Sequence, residues 1–247
     1  QALEVPNLPG PVAQSTAVPR RAVTRVAGQH AESLERRPAL VESARRPLTS
    51  ATALGREKHD EEPVEPWTRG RARTRVGRAV HAAIQSLPWD AQEALVESAA
   101  RAQSVAEAIP ERWEEVALLT LSALASSAAE RARTASRALR EVPFAMDANG
   151  ALVEGFIDLV IESGGELEVV DWKTDAIDPA GVGPRLDEYR LQAGLYALAV
   201  ETVTGKLPAR VTYVFAGAGV EASPGEPADL IAYARAVLAG DGASPAM

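Results

Sequence analysis

Asp158, Asp171 and Lys173 are the residues of this 247-residue chain whose types and spacing point most directly to chemistry. They flank Gly164-Gly165, a pair suited to the centre of a two-residue primed turn, so residues 152–173 read as a β-hairpin. A turn that sets Ser163 opposite Glu166 brings Asp158 opposite Asp171 and Phe156 opposite Lys173. Side chains alternate, so Asp158, Asp171 and Lys173 are expected on one face. Val153, Ile157, Leu159, Ile161, Val170 and Trp172 fall on the other, which reads as core. Facing carboxylates repel and Asp is a poor strand former, so the pairing costs stability unless a cation lies between them. A hard divalent ion such as Mg²⁺, which takes oxygen ligands and keeps waters, would offset that cost.

The alternative is a solvated sheet face on which these are surface charges and Lys173 neutralises one aspartate. The neighbours argue against it: Ile157 and Leu159 flank Asp158, and Val170 and Trp172 flank Asp171. The lysine also breaks the habit of the chain, in which 23 of 26 basic residues are arginine. Arginine stays protonated, whereas a lysine beside a metal can have its pKa lowered and can orient or deprotonate water.

The elements that must hold these residues follow from periodicity. Helices are expected over 77–87, ended by Pro88, and over the alanine-rich 91–109 and 111–140, broken only at Pro110. Strands are expected over 141–146, 151–161 and 166–172, then a helix over 186–203, a strand over 211–215 and a helix over 228–238. Three further candidates lie on these elements, each with a plain structural alternative. His81, between Val80 and Ala82, is a core histidine or a ligand. Tyr189, Gln192 and Tyr196 form one helical stripe that packs on the sheet or lines a site. Glu141 is a surface charge at a strand start or a contributor to the acidic site.

Composition narrows the function classes. No run reaches the roughly 18 apolar residues of a membrane span, and no signal peptide opens the chain, so the expected compartment is the cytoplasm. Zero cysteines exclude disulfides, cysteine-ligated zinc, iron–sulfur clusters and a cysteine nucleophile. No Gly-x-x-x-x-Gly-Lys-[Ser/Thr] sequence is present, so no ATP site is expected. The formal net charge is -8, yet residues 1–80 carry 14 Lys+Arg against 9 Asp+Glu. The densest basic run, Arg69, Arg71, Arg73, Arg75 and Arg78, is a solvated helix face or a contact for phosphates. Residues 1–66 hold 8 of 17 prolines and no aromatic residue; they are expected to be linker or the remnant of an upstream domain, partly disordered, with a short helix near 25–37. Residues 67–240 then form the domain, with a helical insertion at about 90–140, and residues 241–247 a tail. A start at Gln1 fits the C-terminal part of something longer.

The run Gly155-Phe156-Ile157-Asp158 followed by Val170-Asp171-Trp172-Lys173-Thr174 resembles the Asp…Asp-x-Lys core of the PD-(D/E)XK nuclease superfamily. Gly77 with His81, and Gln192 with Tyr196, resemble the Gly-x-x-x-His and Gln-x-x-x-Tyr motifs of its RecB-type branch, the C-terminal nuclease of RecBCD- and AddAB-like helicase–nucleases. The resemblance covers roughly residues 50–238. It implies an α/β fold, with a restriction-endonuclease-like core in which helices flank a mixed central sheet, and a helical insertion before that sheet. It further implies that His81, Asp158, Asp171 and the Trp172 backbone carbonyl ligate Mg²⁺ or Mn²⁺, with Glu141 contributing through a second ion or water. Lys173 would act in catalysis, Gln192 and Tyr196 would line the DNA side, and Arg75 and Arg78 would contact phosphates. The absent cysteines set the chain apart from cluster-bearing relatives.

The implied function is metal-dependent hydrolysis of DNA, single strand favoured, as an exonuclease-like step in recombination or repair. A UvrD-type helicase would lie upstream, and the location would be cytoplasmic, at the nucleoid. Two competitors use the same core: a silent DNA-binding scaffold, which loss of a ligand or the lysine would favour, and a site-specific restriction enzyme, for which the alanine-rich insertion is too plain.

Overall fold

The computed structural model describes residues 48–50, 69–148 and 151–239, all within the unit Pro47–Met247. The expected helix near 25–37 and tail at 241–247 lie outside the described residues. Six strands form one mixed sheet: β1 (Leu48–Ser50), β2 (Arg137–Ala148), β3 (Ala151–Ser163), β4 (Glu166–Lys173), β5 (Arg210–Phe215) and β6 (Val220–Ala222). Their order is β1-β3-β4-β5-β6, with β2 paired to β3. The β1–β3 and β4–β5 pairs are parallel and the others antiparallel. This is the mixed sheet of the α/β expectation. β1 places residues 48–50, which fall within the stretch 1–66, in the sheet.

Helices α1 (Arg69–Ser86), α2 (Glu93–Ala106), α3 (Trp113–Leu124) and α4 (Ser127–Thr134) precede β2. They pack on Leu159, Ile161, Val170, Trp172 and Val214. The single helix expected over 111–140 is corrected. Ser126 caps a new helix by accepting the Ala129 N–H, and residues from Arg137 onward join β3 instead. Cross-strand pairing overrides the helix propensity of the alanine-rich run.

Helix α5 (Val182–Thr204) crosses the other face between β4 and β5, and α6 (Pro227–Leu238) packs upon it. Every residue from 191 to 200 is buried, because the sheet covers one side of α5 and α6 the other. Gly194 makes that stacking close: a Cβ there would lie 2.3 Å from the Leu230 carbonyl oxygen. The β3–β4 turn is as expected, with Gly164 and Gly165 at φ +61° and +85° and Ser163 opposite Glu166.

The expected faces of the hairpin hold only in part. Leu159, Ile161, Val170 and Trp172 do share the face under α1 to α4, but Val153 and Ile157 lie beneath α5. Residues 157 and 159 would share a face in a regular strand, so β3 turns over at Asp158. β2 does the same opposite. Ala138 packs toward the helical block and Val142 toward α5, with Glu141 between them at φ +49°. The β2–β3 register keeps step from Arg140↔Leu159 to Val142↔Ile157 but skips the pair Glu141 and Asp158. The β3–β4 ladder also stops there, at Leu159↔Val170, one pair short of the expected Asp158–Asp171 partnership. The sheet therefore forks at Asp158.

Candidate metal centre and its lysine

The fork collects the acidic groups. Asp158 turns its carboxylate into the opening, where Oδ2 accepts the Trp172 backbone N–H at 2.7 Å. His81 arrives from α1, whose Gly77 lets the helix approach: a Cβ at 77 would stand 3.1 Å from Thr174 Oγ1. One turn later His81 Nε2 donates to the Trp172 carbonyl at 3.0 Å, and Nδ1 lies 3.3 Å from Asp158 Oδ1. Glu141 completes a trio with His81 and Asp158, their donor atoms all within 4.8 Å of one another; among the described residues this is the one such cluster.

Asp171 stands beside the trio, 2% exposed. Its Oδ2 lies 2.7 Å from Lys173 Nζ but has no aligned hydrogen bond. Lys173 donates instead to Gln192 Oε1 at 2.8 Å, and Gln192 Nε2 donates to the Tyr196 hydroxyl at 2.9 Å. Gln192 and Tyr196 are buried, so the stripe on α5 both packs against the sheet and reaches Lys173.

Charge in this pocket follows from its dryness and its pairs. Burial is the largest influence on His81 and opposes its charge, yet the charge and hydrogen bond of Asp158, with Asp171 behind, lift it to about 9. Burial lifts Asp171 to about 6 against the pull of Lys173. Burial would raise Asp158 too, but His81 and the Trp172 N–H hold it below the ordinary carboxylate range. Glu141 is raised by burial and by the charge of Asp158. The imidazolium thus stands as the cation between Asp158 and the Trp172 carbonyl.

Oxygen and imidazole donors, with the buried Asp171 oxygen beside them holding a lone pair to spare, suit a hard divalent cation. Of the residues expected from sequence, His81, Asp158, Glu141 and the Trp172 carbonyl converge, while Asp171 pairs with Lys173. Arg78 is held by Glu107, just beyond α2, Nη2 to Oε2 at 2.5 Å, and is exposed; Arg75 is partly exposed. The side chains of Arg69, Arg71 and Arg73 lie outside the described residues. Sequence reasoning missed Asp175 and Tyr213. Asp175 accepts from the Tyr189 hydroxyl at 2.9 Å, and Tyr213 is the strand neighbour of Asp171. Tyr213 reads as an ordinary core aromatic, and only the parallel register reveals its position.

A family model described as the PD-(D/E)XK nuclease superfamily matches residues 56–240. The chain is 38% identical over 167 residues to a protein of Desulfitobacterium hafniense named as one of the subunits of an ATP-dependent helicase/nuclease, covering 57% of this chain and 12% of that protein. It is 34% identical over 106 residues to the protein of the same name from Desulforamulus reducens, covering 37% of this chain and 8% of that one. It is 40% identical over 97 residues to "Gene 69 protein" of Mycobacterium phage L5, covering 38% and 30%. The chain therefore spans only a small part of the length of these curated relatives.

Proposed function

The chain belongs to the PD-(D/E)XK nuclease superfamily, as a nuclease domain of RecB type, and from that premise we propose that it hydrolyses DNA phosphodiester bonds with a divalent cation. The observation that carries the proposal is the His81–Glu141–Asp158 trio beside a lysine paired with Asp171.

His81, Glu141, Asp158 and the Trp172 carbonyl would hold Mg²⁺ or Mn²⁺, with Asp171 next to them. A bound cation of this kind polarises a phosphate and makes water a better nucleophile. Lys173, kept in place by Asp171 and Gln192, holds the attacking water or donates to a phosphoryl oxygen as charge builds there. Gln192 and Tyr196 fix that ammonium from α5. Arg75 and the exposed guanidinium of Arg78, on the face of α1, contact backbone phosphates, so binding is salt-sensitive and independent of sequence.

Relatives named as helicase/nuclease proteins support a place for this domain beside a motor. A UvrD-type helicase upstream would deliver a single strand, and exonucleolytic trimming of DNA ends in recombination or repair follows from that arrangement. The test is degradation of linear single-stranded DNA by the purified chain. Cleavage is expected with Mg²⁺ or Mn²⁺ and none in EDTA or from Asp171→Ala. Equal cleavage in chelator would overturn the metal-dependent reading.

A further inference from the structure

Lys173 is confined on three sides, and only two of them are polar. Asp171 Oδ2 and Gln192 Oε1 lie 2.7 and 2.8 Å from Nζ. The third side is aromatic: Nζ sits 4.0 Å from the centroid of the Tyr189 ring and 5.0 Å from that of Tyr213. The negative face of a ring attracts a cation, more so where water is excluded, and the Lys173 side chain is 13% exposed. The Tyr189 ring is itself clamped. Its hydroxyl donates to Asp175 Oδ2 at 2.9 Å, and its plane stacks on Tyr213 with centroids 5.3 Å apart and 24° between planes. Arg185 holds Asp175 in turn, Nε to Oδ1 at 3.5 Å. A lysine stem is a flexible four-carbon chain, and one acceptor on either side would not choose its reach. A fixed ring beneath the ammonium does.

We infer that Tyr189 is a positioning residue for Lys173: its ring face, held by the stack on Tyr213, sets the ammonium at the distance hydrolysis needs. The inference rests on the nuclease reading above. A ring that merely filled the core would be exchangeable for leucine at a cost in stability alone. A ring that positions a cation is exchangeable only for another ring.

The chain contains three lysines, Lys58, Lys173 and Lys206, so lysine labelled with ¹³C at Cε yields three resolvable signals in the full 247-residue protein. In the wild type one signal is expected to be shifted upfield by the ring current, retained in Tyr189→Phe and lost in Tyr189→Leu. With single-stranded DNA and Mg²⁺, kcat is expected to fall about tenfold in Tyr189→Leu, the scale of a desolvated cation–π contact. It should recover in Tyr189→Phe, with KM and the Mg²⁺ midpoint unmoved in both. A leucine variant that cleaves like the wild type, or a phenylalanine variant as slow as leucine, would overturn the inference. So would a cleaving wild type without the shifted signal, a result that requires no variant to fold. A shifted signal in a wild type that cleaves nothing would instead overturn the nuclease reading on which the role depends.

Discussion

Asp158 accepts the backbone N–H of Trp172 at 2.7 Å where the β3–β4 ladder has already ended, so one carboxylate oxygen takes the place of a main-chain acceptor. Its other oxygen faces His81. This aspartate is at once a structural acceptor and a member of the His81–Glu141–Asp158 trio, whereas Asp171 pairs with Lys173.

The two aspartates should therefore respond differently to substitution. Facing carboxylates at a regular register would make both Asp→Asn changes neutral or stabilising without metal. The observed geometry limits that outcome to Asp171, whose charge burial opposes. In EDTA at pH 8, Asp171→Asn is expected to match or exceed the wild-type melting temperature. Asp158→Ala should lose about 1–3 kcal/mol, the cost of a buried donor left unpaired. Denaturant unfolding of the two variants side by side measures the contrast.

The metal-free protein should lose stability as pH rises from 6.5 to 9. His81 binds its proton more tightly when folded, at about 9, than an exposed imidazole does at roughly 6.5. Its contribution is complete below the unfolded value and disappears as pH passes through 9. Asp171, raised to about 6, adds a penalty that is complete above that pH, so it acts in the same direction at lower pH. Melting temperatures in EDTA across this range should fall for the wild type and flatten for His81→Gln.

Metal binding should expel the proton that His81 carries, because a ligand nitrogen must be neutral. At pH 7.5 about one proton should be released per ion. Calorimetry with Mn²⁺ in two buffers of different ionisation enthalpy reads this directly. An observed heat independent of buffer would place the cation away from His81.

Glu141→Gln should weaken Mg²⁺ binding roughly tenfold without lowering metal-free stability, since Glu141 is half-buried, raised by burial and Asp158, and already strained at φ +49°. The Mg²⁺ concentration that half-restores the thermal gain is the measurement.

Lys173→Arg should reduce cleavage about 10²-fold, typical of losing a proton-handling group. A planar guanidinium cannot fit the same three contacts to Asp171, Gln192 and Tyr189. Near-normal cleavage would reduce Lys173 to a counter-charge.

Much of this arrangement was local and so readable in the chain itself. Two glycines with positive φ determine the β3–β4 turn, and the turn determines the count that brings Asp158 toward the end of β4. Apolar spacing found α5 and α6, and the motif residues named His81, Asp158, Asp171, Lys173, Gln192 and Tyr196. What needed tertiary structure is non-local. Periodicity assumes that a strand keeps its faces, but β2 and β3 turn over together at Glu141 and Asp158, which moves Ile157 beneath α5 and opens the fork. Strand β2 begins at Arg137 because β3 offers a pairing edge that a helical pattern does not register. His81 meets Trp172 across 91 residues because Gly77 admits α1 to the end of β4. The rings beneath Lys173 gather only when α5 lies across the parallel pair β4 and β5, since no spacing along one segment records which surfaces two elements will share.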